Sequence, residues 1–284
     1  LKISCFFIFI GRGYQHLFWD APYRSFLWDQ NLLEPIVNDV FHTPWHVYVS
    51  SLKTHSLIQQ FIIATGVLYV LCAFIALFIN QKSNSWLRSI ILLGGINLVL
   101  LSILITKEKF YHTAMFFEHS IQFSAPFILL YFLKKPNITQ ITQILKAIIA
   151  IAFICHGLYA IGALYPIPAN FVTMTLNILP VSESTAKQLL FVMGILDFIV
   201  ALCLYIPKCA KSALAYAFIW GILTAFARIF SALTYDVSVD IFHQYFYLTL
   251  YRIPHGLVPL LTLLIITNIK SKVTYTKAED ILFV

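Results

Sequence analysis

Long, nearly uninterrupted apolar runs fill most of this chain, and they constrain its fold more than any single motif does. By hydropathy they fall near residues 1–18, 57–80, 86–106, 111–133, 144–165, 187–206, 211–233 and 247–269. A hydrocarbon core is crossed by about 20 residues of helix, so eight such runs and short connections use up nearly the whole of 284 residues. Composition agrees. Apolar residues make up 60% and charged residues 11%, against about 25% charged in a soluble domain, and mean hydropathy is +0.83. The runs are too long and too uniform for barrel strands, which are about ten residues of alternating polarity. The expected fold is therefore all-α, a polytopic transmembrane bundle of about eight helices. The first run lacks a basic leader and a small-x-small cleavage site, and Arg12 interrupts it, so it reads as a membrane helix rather than a signal peptide.

Lys and Arg mark the expected sidedness. With the N-terminus inside, Lys2, Lys82, Arg88, Lys134, Lys135, Lys146, Lys208, Lys211, Lys270, Lys272 and Lys277 gather at the cytoplasmic ends. Arg24, Lys53, Lys107, Lys109 and Lys187 fall outside, beside Asp29, Glu34, Asp39, Asp236 and Asp240. An even number of spans places both termini in the cytoplasm, and the expected location is a cell membrane of the bacterial inner-membrane type. The net charge of +7 then reads as a topology signal and a contact for anionic lipid, with no nucleic acid as partner. The five cysteines lie in or beside helices without a C-x-x-C and read as apolar fillers.

A weak internal repeat relates 1–133 to 134–284. Gly11-Arg12-Gly13-Tyr14 matches Cys155-His156-Gly157-Leu158, and 64–69 matches 192–197. Gly94 matches Gly221 and Pro126 matches Pro259, which sets His119 against Arg252 and Gln122 against His255. Two four-helix units side by side would leave an interface suited to a site.

Ionisable residues inside the spans are the sharpest functional signal, because a charge in hydrocarbon costs several kcal/mol unless it is paired or wetted. Arg12 and His16, Glu118 and Gln122, and Arg252 and His255 each share a helix face by their spacing. Together with His119, His156, Asp197 and Arg228 they predict a polar cavity toward the outer surface, lined by Arg12, His16, Glu118, His119, His156, Asp197, Arg228, Arg252 and His255. The plainer alternative is a set of structural ion pairs, such as Arg12 with Glu118 or Asp197 with Arg228. The connection 19–56 is rich in aromatics, with Trp19, Tyr23, Phe26, Trp28, Phe41, Trp45 and Tyr48, and reads as a turn and a short interfacial helix that roofs the cavity or anchors the chain. His42 and His46 have a helical metal-ligand spacing, but Pro44 between them opposes a regular helix, and no metal is assigned. No phosphate-binding Gly-rich loop, G-x-S-x-G or H-E-x-x-H occurs.

Gly-Arg-Gly-Tyr-Gln-His at 11–16, Cys-His-Gly at 155–157 and the four-helix halves resemble the DoxX-like membrane proteins, a family with small quinone-reducing subunits and methylamine-utilisation proteins. The resemblance implies a four-helix unit and, in some members, electron transfer linked to quinone. The chain departs from the redox members in lacking paired cysteines. Three functions stay open: a quinone-linked oxidoreductase subunit with quinone as its ligand and Glu118 or Asp197 as proton carriers, a transporter of a small anionic solute or lipid headgroup, and a structural partner of another membrane protein.

Overall fold

The computed structural model describes residues 1–233 and 238–282, with side chains described as far as Asn268. Asp236, and the side chains of Lys270, Lys272 and Lys277, all used in the charge argument above, lie outside the described residues. The described residues form helices joined by turns and contain no strand.

In chain order the helices are α1 Lys2–Phe18, α2 Arg24–Leu27, α3 Gln30–Asp39, α4 Trp45–Ser50, α5 Leu52–Phe78, α6 Ser85–Glu108, α7 Thr113–Glu118, α8 Ser120–Phe132 and α9 Ile138–Ile161. They continue as α10 Ala169–Ile178, α11 Glu183–Cys203, α12 Ala210–Leu233, α13 Val239–Leu250 and α14 Pro254–Leu282. Six segments are long and apolar enough to cross a membrane: α5, α6, α9, α11, α12 and the combined run from α13 into α14. The protein is therefore a multi-pass membrane protein. α1, of 17 residues, rises about 25 Å and lies along α5, with Lys2 Nζ donating to the Leu77 carbonyl at one end.

Helix starts are fixed by short polar side chains. Ser51, Asn137 and Ser182 accept from the backbone N–H of Thr54, Thr139 and Thr185 at the heads of α5, α9 and α11, each cap contributing about 1 kcal/mol. Gly162, at φ 72°, ends α9 in the left-handed conformation that a Cβ disfavours.

Two expected single spans are broken. The segment 111–133 divides at His119, whose backbone N–H turns to Phe116 rather than Met115. The Met115 carbonyl so released takes the His119 ring Nδ1 at 2.8 Å. The last span begins at Val239, earlier than hydropathy indicates, and divides at Tyr251–Ile253. Pro254 has no N–H to continue a helix from behind but suits the first position of a new one.

Packing produces two large apolar cores and two smaller ones, around Tyr23 and Ile62 and around Tyr159 and Phe171. Cys5, Ile8, Phe9, Tyr69, Cys72, Ile91, Leu98 and Leu129 join α1, α5, α6 and α8. Ile141, Leu145, Ile149, Phe153, Val200, Leu204, Leu214 and Val258 join α9, α11, α12 and α14. Lipid tails are as apolar as these side chains, so close fit rather than transfer from water drives the association, and small residues permit it. A Cβ on Gly157 would lie 2.9 Å from the Gly194 carbonyl oxygen, and one on Gly13 would lie 3.2 Å from that of Gly66. Leu71, Phe74, Leu202 and Leu223, by contrast, stand exposed on the outside of the bundle, where lipid is their solvent. All five cysteines are free thiols.

The aromatic connection folds as a turn followed by α2, α3 and α4. Asp29 caps α3 through the Leu32 N–H and forms an ion pair with Lys107 at the end of α6, tying the connection down. Pro44 stands at the head of α4, and His42 lies at φ 49°, so His42 and His46 do not share a helix. They line an open surface groove with Glu34 and Trp45. Among the described residues no group of three His, Cys, Asp or Glu is arranged to hold a metal ion.

Candidate functional site

The nine residues singled out above separate into two neighbouring clusters. In the first, Arg12 of α1 is 3% exposed and has no carboxylate partner among the described residues. Its Nε and Nη2 donate to Gln122 Oε1 of α8 at 3.1 and 2.7 Å, and its Nη1 donates to Gln15 Oε1 at 2.8 Å. The guanidinium carbon lies 3.9 Å from the Tyr251 ring centroid, a cation–π contact that replaces part of the lost hydration. One turn along, the buried His16 binds the Arg12 carbonyl through Nδ1 at 2.7 Å and the Tyr23 hydroxyl through Nε2 at 3.3 Å. With Nδ1–H donating to a carbonyl, Nε2 is the acceptor of that second bond. Tyr69 packs edge-on to the same ring. The cluster is closely packed, and its cation is satisfied by amide oxygens and a ring face. His119, at the α7–α8 break, is buried beside it with its ring turned back onto Met115.

The second cluster surrounds a cavity of about 40 Å³ between α7, α9, α11, α12 and α14, lined by Glu118, His156, Asp197, Arg228, Arg252 and His255 together with Ala152, Phe153, Trp220, Gly221 and Thr224. Arg12, His16 and His119 are not on its wall. Each ordered water needs about 10–15 Å³ of such space, so the cavity has room for about three waters.

Two ion pairs brace this wall. Arg252 Nη1 donates to Glu118 Oε1 at 2.7 Å, joining the break between α13 and α14 to the end of α7. His156 Nδ1 meets Asp197 Oδ2 at 2.7 Å. Neither is a pair the spacing suggested: Glu118 takes Arg252 rather than Arg12, and Asp197 takes His156 rather than Arg228. Arg228 is left with one partner, the Thr224 carbonyl, to which Nη1 donates at 3.0 Å. Among the described residues it has no carboxylate.

Several polar atoms of the lining side chains are buried without a protein partner: Asp197 Oδ1, Trp220 Nε1, Arg252 Nε and His255 Nε2. A buried polar group left unmatched costs about 1–3 kcal/mol, so such a concentration on one cavity marks a place where something else completes the bonding. Arg252 Nε–H, Trp220 Nε1–H and the Arg228 guanidinium are donors. Asp197 Oδ1 is an acceptor, and so is His255 Nε2 when Nδ1–H donates to the Arg252 carbonyl at 3.1 Å.

The reading from sequence missed Trp220, Gly221 and Thr224. Trp220, Thr224 and Arg228 are spaced one turn apart on α12, so the face was visible once Arg228 had been singled out. Phe171 of α10 packs on the His156 ring, centroids 5.0 Å apart; nothing in its local sequence signals that contact. Comparison with protein-family models, with curated proteins and with solved structures finds no match to this chain. What the fold and site define is a class, a multi-pass membrane protein with a small polar cavity lined by charges of both signs inside its helical bundle.

Proposed function

We propose that this membrane protein binds the anionic oxygen group of a small solute or of a lipid head in the cavity formed by α7, α9, α11, α12 and α14. One observation carries the reading: Arg228 stands on the cavity wall with a single carbonyl partner, beside the unmatched N–H groups of Arg252 and Trp220. A ligand that completes these bonds must accept hydrogen bonds, and beside two guanidinium groups an anionic acceptor gains most. A carboxylate has three heavy atoms and replaces about three waters. The unmatched donors beside two guanidinium groups favour a charged acceptor over the neutral carbonyls of a quinone, so the quinone-linked reading is not carried forward. Of the alternatives, carriage of an anionic solute or lipid head is the one favoured here.

The reading includes duplication of a four-helix unit, residues 1–133 and 134–284, as in the DoxX-like architecture the sequence resembles. Supporting it, α1 meets α5 through Gly13 and Gly66 as α9 meets α11 through Gly157 and Gly194. The fourth helix of each half is also broken at the matched positions His119 and Arg252. The cavity then lies where Glu118 of the first unit reaches the second, the kind of interface at which repeat-built transporters hold their substrates.

The test is calorimetric titration of acetate, sulfate and inorganic phosphate into protein held in phosphatidylcholine nanodiscs, with a parallel set containing phosphatidylglycerol. Binding in phosphatidylcholine alone identifies a free anion. Retention of phosphatidylglycerol in native mass spectra, with weak competition by soluble anions, identifies a lipid head. Failure of both classes to bind, or undiminished binding by Arg228→Gln, overturns the reading.

A further inference from the structure

We infer that an anion in this cavity is accompanied by a proton on His156, so that ligand and proton bind as a linked pair. The inference rests on the anion-binding reading and adds to it a second, ionic ligand. It follows from counting charge on the wall. With His156 neutral, Arg228 and Arg252 are balanced by Glu118 and Asp197, all four lining the cavity. An anion entering this balanced wall gives it one excess negative charge; the nearby cation Arg12 lies off the wall with its N–H groups engaged by Gln122 and Gln15 and its face by Tyr251, so the excess stays on the cavity, where such a charge costs several kcal/mol. One proton restores the balance.

His156 is the group placed to take it. Of the elements packed on α9, α11 brings Asp197 into contact with the His156 ring at 2.7 Å, so the imidazolium is formed against a carboxylate. Glu118 reaches it from α7, its charge engaged with Arg252. Arg252 and His255 come from α14, and Arg228 comes from α12. His119, at the head of α8, has its ring turned back to Met115, and α10 presents Phe171. His255 is the other imidazole on the wall. Its Nδ1 is held at the Arg252 carbonyl, no carboxylate contacts it, and two guanidinium groups share its cavity, so a proton there adds to positive charge rather than relieving negative charge. Imidazole is also the side chain whose ordinary titration falls in the physiological range. On this account no bond within the ligand changes: one proton moves from solvent to His156 Nε2 and leaves when the anion leaves.

The experiment is the affinity for acetate and for formate between pH 6 and 9 in phosphatidylcholine nanodiscs, a range in which both probes keep their single negative charge. The expected profile is a plateau at the acid end and a tenfold loss of affinity per pH unit above it, the slope that linkage to one proton requires. His156→Gln binds weakly with a flat profile. His255→Gln weakens binding at every pH but keeps the slope. Asp197→Asn, which retains the imidazole without its carboxylate, moves the bend to lower pH and serves if the His156 variant does not fold. A flat wild-type profile overturns the proton linkage while leaving anion binding intact. A slope that survives in His156→Gln and vanishes in His255→Gln overturns the assignment to His156. Absence of acetate and formate binding at every pH overturns this inference together with the reading beneath it.

Discussion

The polar cluster around Arg12 and the cavity around Arg228 each hold an arginine without a carboxylate partner among the described residues, and they resolve that problem in opposite ways. Arg12 is surrounded: two amide oxygens accept from it and the Tyr251 ring covers its face. Arg228 has one carbonyl and a cavity. The difference arises from what faces each guanidinium: Gln122 brings an amide oxygen to Arg12, whereas Arg228 has the Thr224 carbonyl alone. Open space at a glycine is not the cause, since a Cβ on Gly94 would lie 2.6 Å from Cys72 Sγ and one on Gly221 2.5 Å from the His255 carbonyl oxygen. A satisfied buried cation holds helices together, and an incompletely satisfied one is free to bind.

The largest expected effect comes from the pair that bridges the two regions. Glu118→Gln leaves Arg252 buried without its anion, and loss of one partner of a buried pair costs about 3–5 kcal/mol. Thermal unfolding in nanodiscs should show that loss, and the double variant Glu118→Gln with Arg252→Gln should recover part of it, since no charge is then stranded. A double variant no more stable than the single one would mean that the pair contributes little and that the breaks at His119 and Arg252 are held by packing alone.

The two arginines themselves separate structure from binding. Arg12→Gln should cost about 1–3 kcal/mol of stability, because it leaves buried amide oxygens unmatched, and should leave anion affinity within a factor of about two, a change of only ~0.4 kcal/mol. Arg228→Gln should do the reverse: little change in unfolding, and at least a tenfold loss of anion affinity, in line with the ~1.5–3 kcal/mol of a hydrogen bond to a charged group. Equal effects of both substitutions on unfolding would remove the contrast between the clusters.

The glycine contacts test whether the halves share a scaffold while their polar clusters differ. Gly13→Ala and Gly157→Ala each force a Cβ against a facing helix. Overpacking of about 1–3 kcal/mol, offset by about 1 kcal/mol of better helix propensity, leaves a net loss of up to about 2 kcal/mol at either site. Matching losses in unfolding experiments would sharpen the duplication; a loss at one site alone would break it.

These contrasts also show what was legible in sequence. Six of the eight expected spans follow from the apolar runs, because length and hydropathy are local properties, whereas 1–18 forms a helix of 17 residues and 111–133 divides at His119. The shared face of Arg12 with His16 follows from helical spacing, but that expected of Glu118 with Gln122 does not hold, because the break at His119 parts them and sends Gln122 to Arg12 and Glu118 to Arg252. Partner choice does not follow from spacing, since it depends on how each helix is rotated against the next: Glu118 reaching Arg252, and His156 reaching Asp197, are decided by packing at glycines far along the chain. The breaks at His119 and at Tyr251–Ile253 were hidden for a different reason. Hydropathy averages over a window and cannot register a carbonyl diverted to a ring nitrogen, although Pro254 did carry a local signal for the second break.

The smallest effect is expected at the aromatic connection, where one ion pair ties 19–56 to the bundle. The Asp29 carboxyl hydrogen-bonds to Lys107, which lowers its titration below the ordinary carboxylate value. For a carboxyl shifted in that direction, the contribution to folding is present above the unfolded value, about 3.9, and is lost as pH falls through the lower folded value. Between pH 6 and 8 the tie is therefore constant. Asp29→Asn should remove it and with it a charged cap of α3, leaving unfolding of the bundle and anion affinity unchanged while cleavage within 30–51 by a soluble protease becomes several-fold faster. The contrast with Arg12 is in solvent access: the same loss of a charged partner that destabilises a buried cluster is absorbed by water at this edge. If Asp29→Asn instead weakened anion binding as much as Arg228→Gln, the connection would belong to the site, and the division between a packed first region and a binding second one would have to be redrawn to include it.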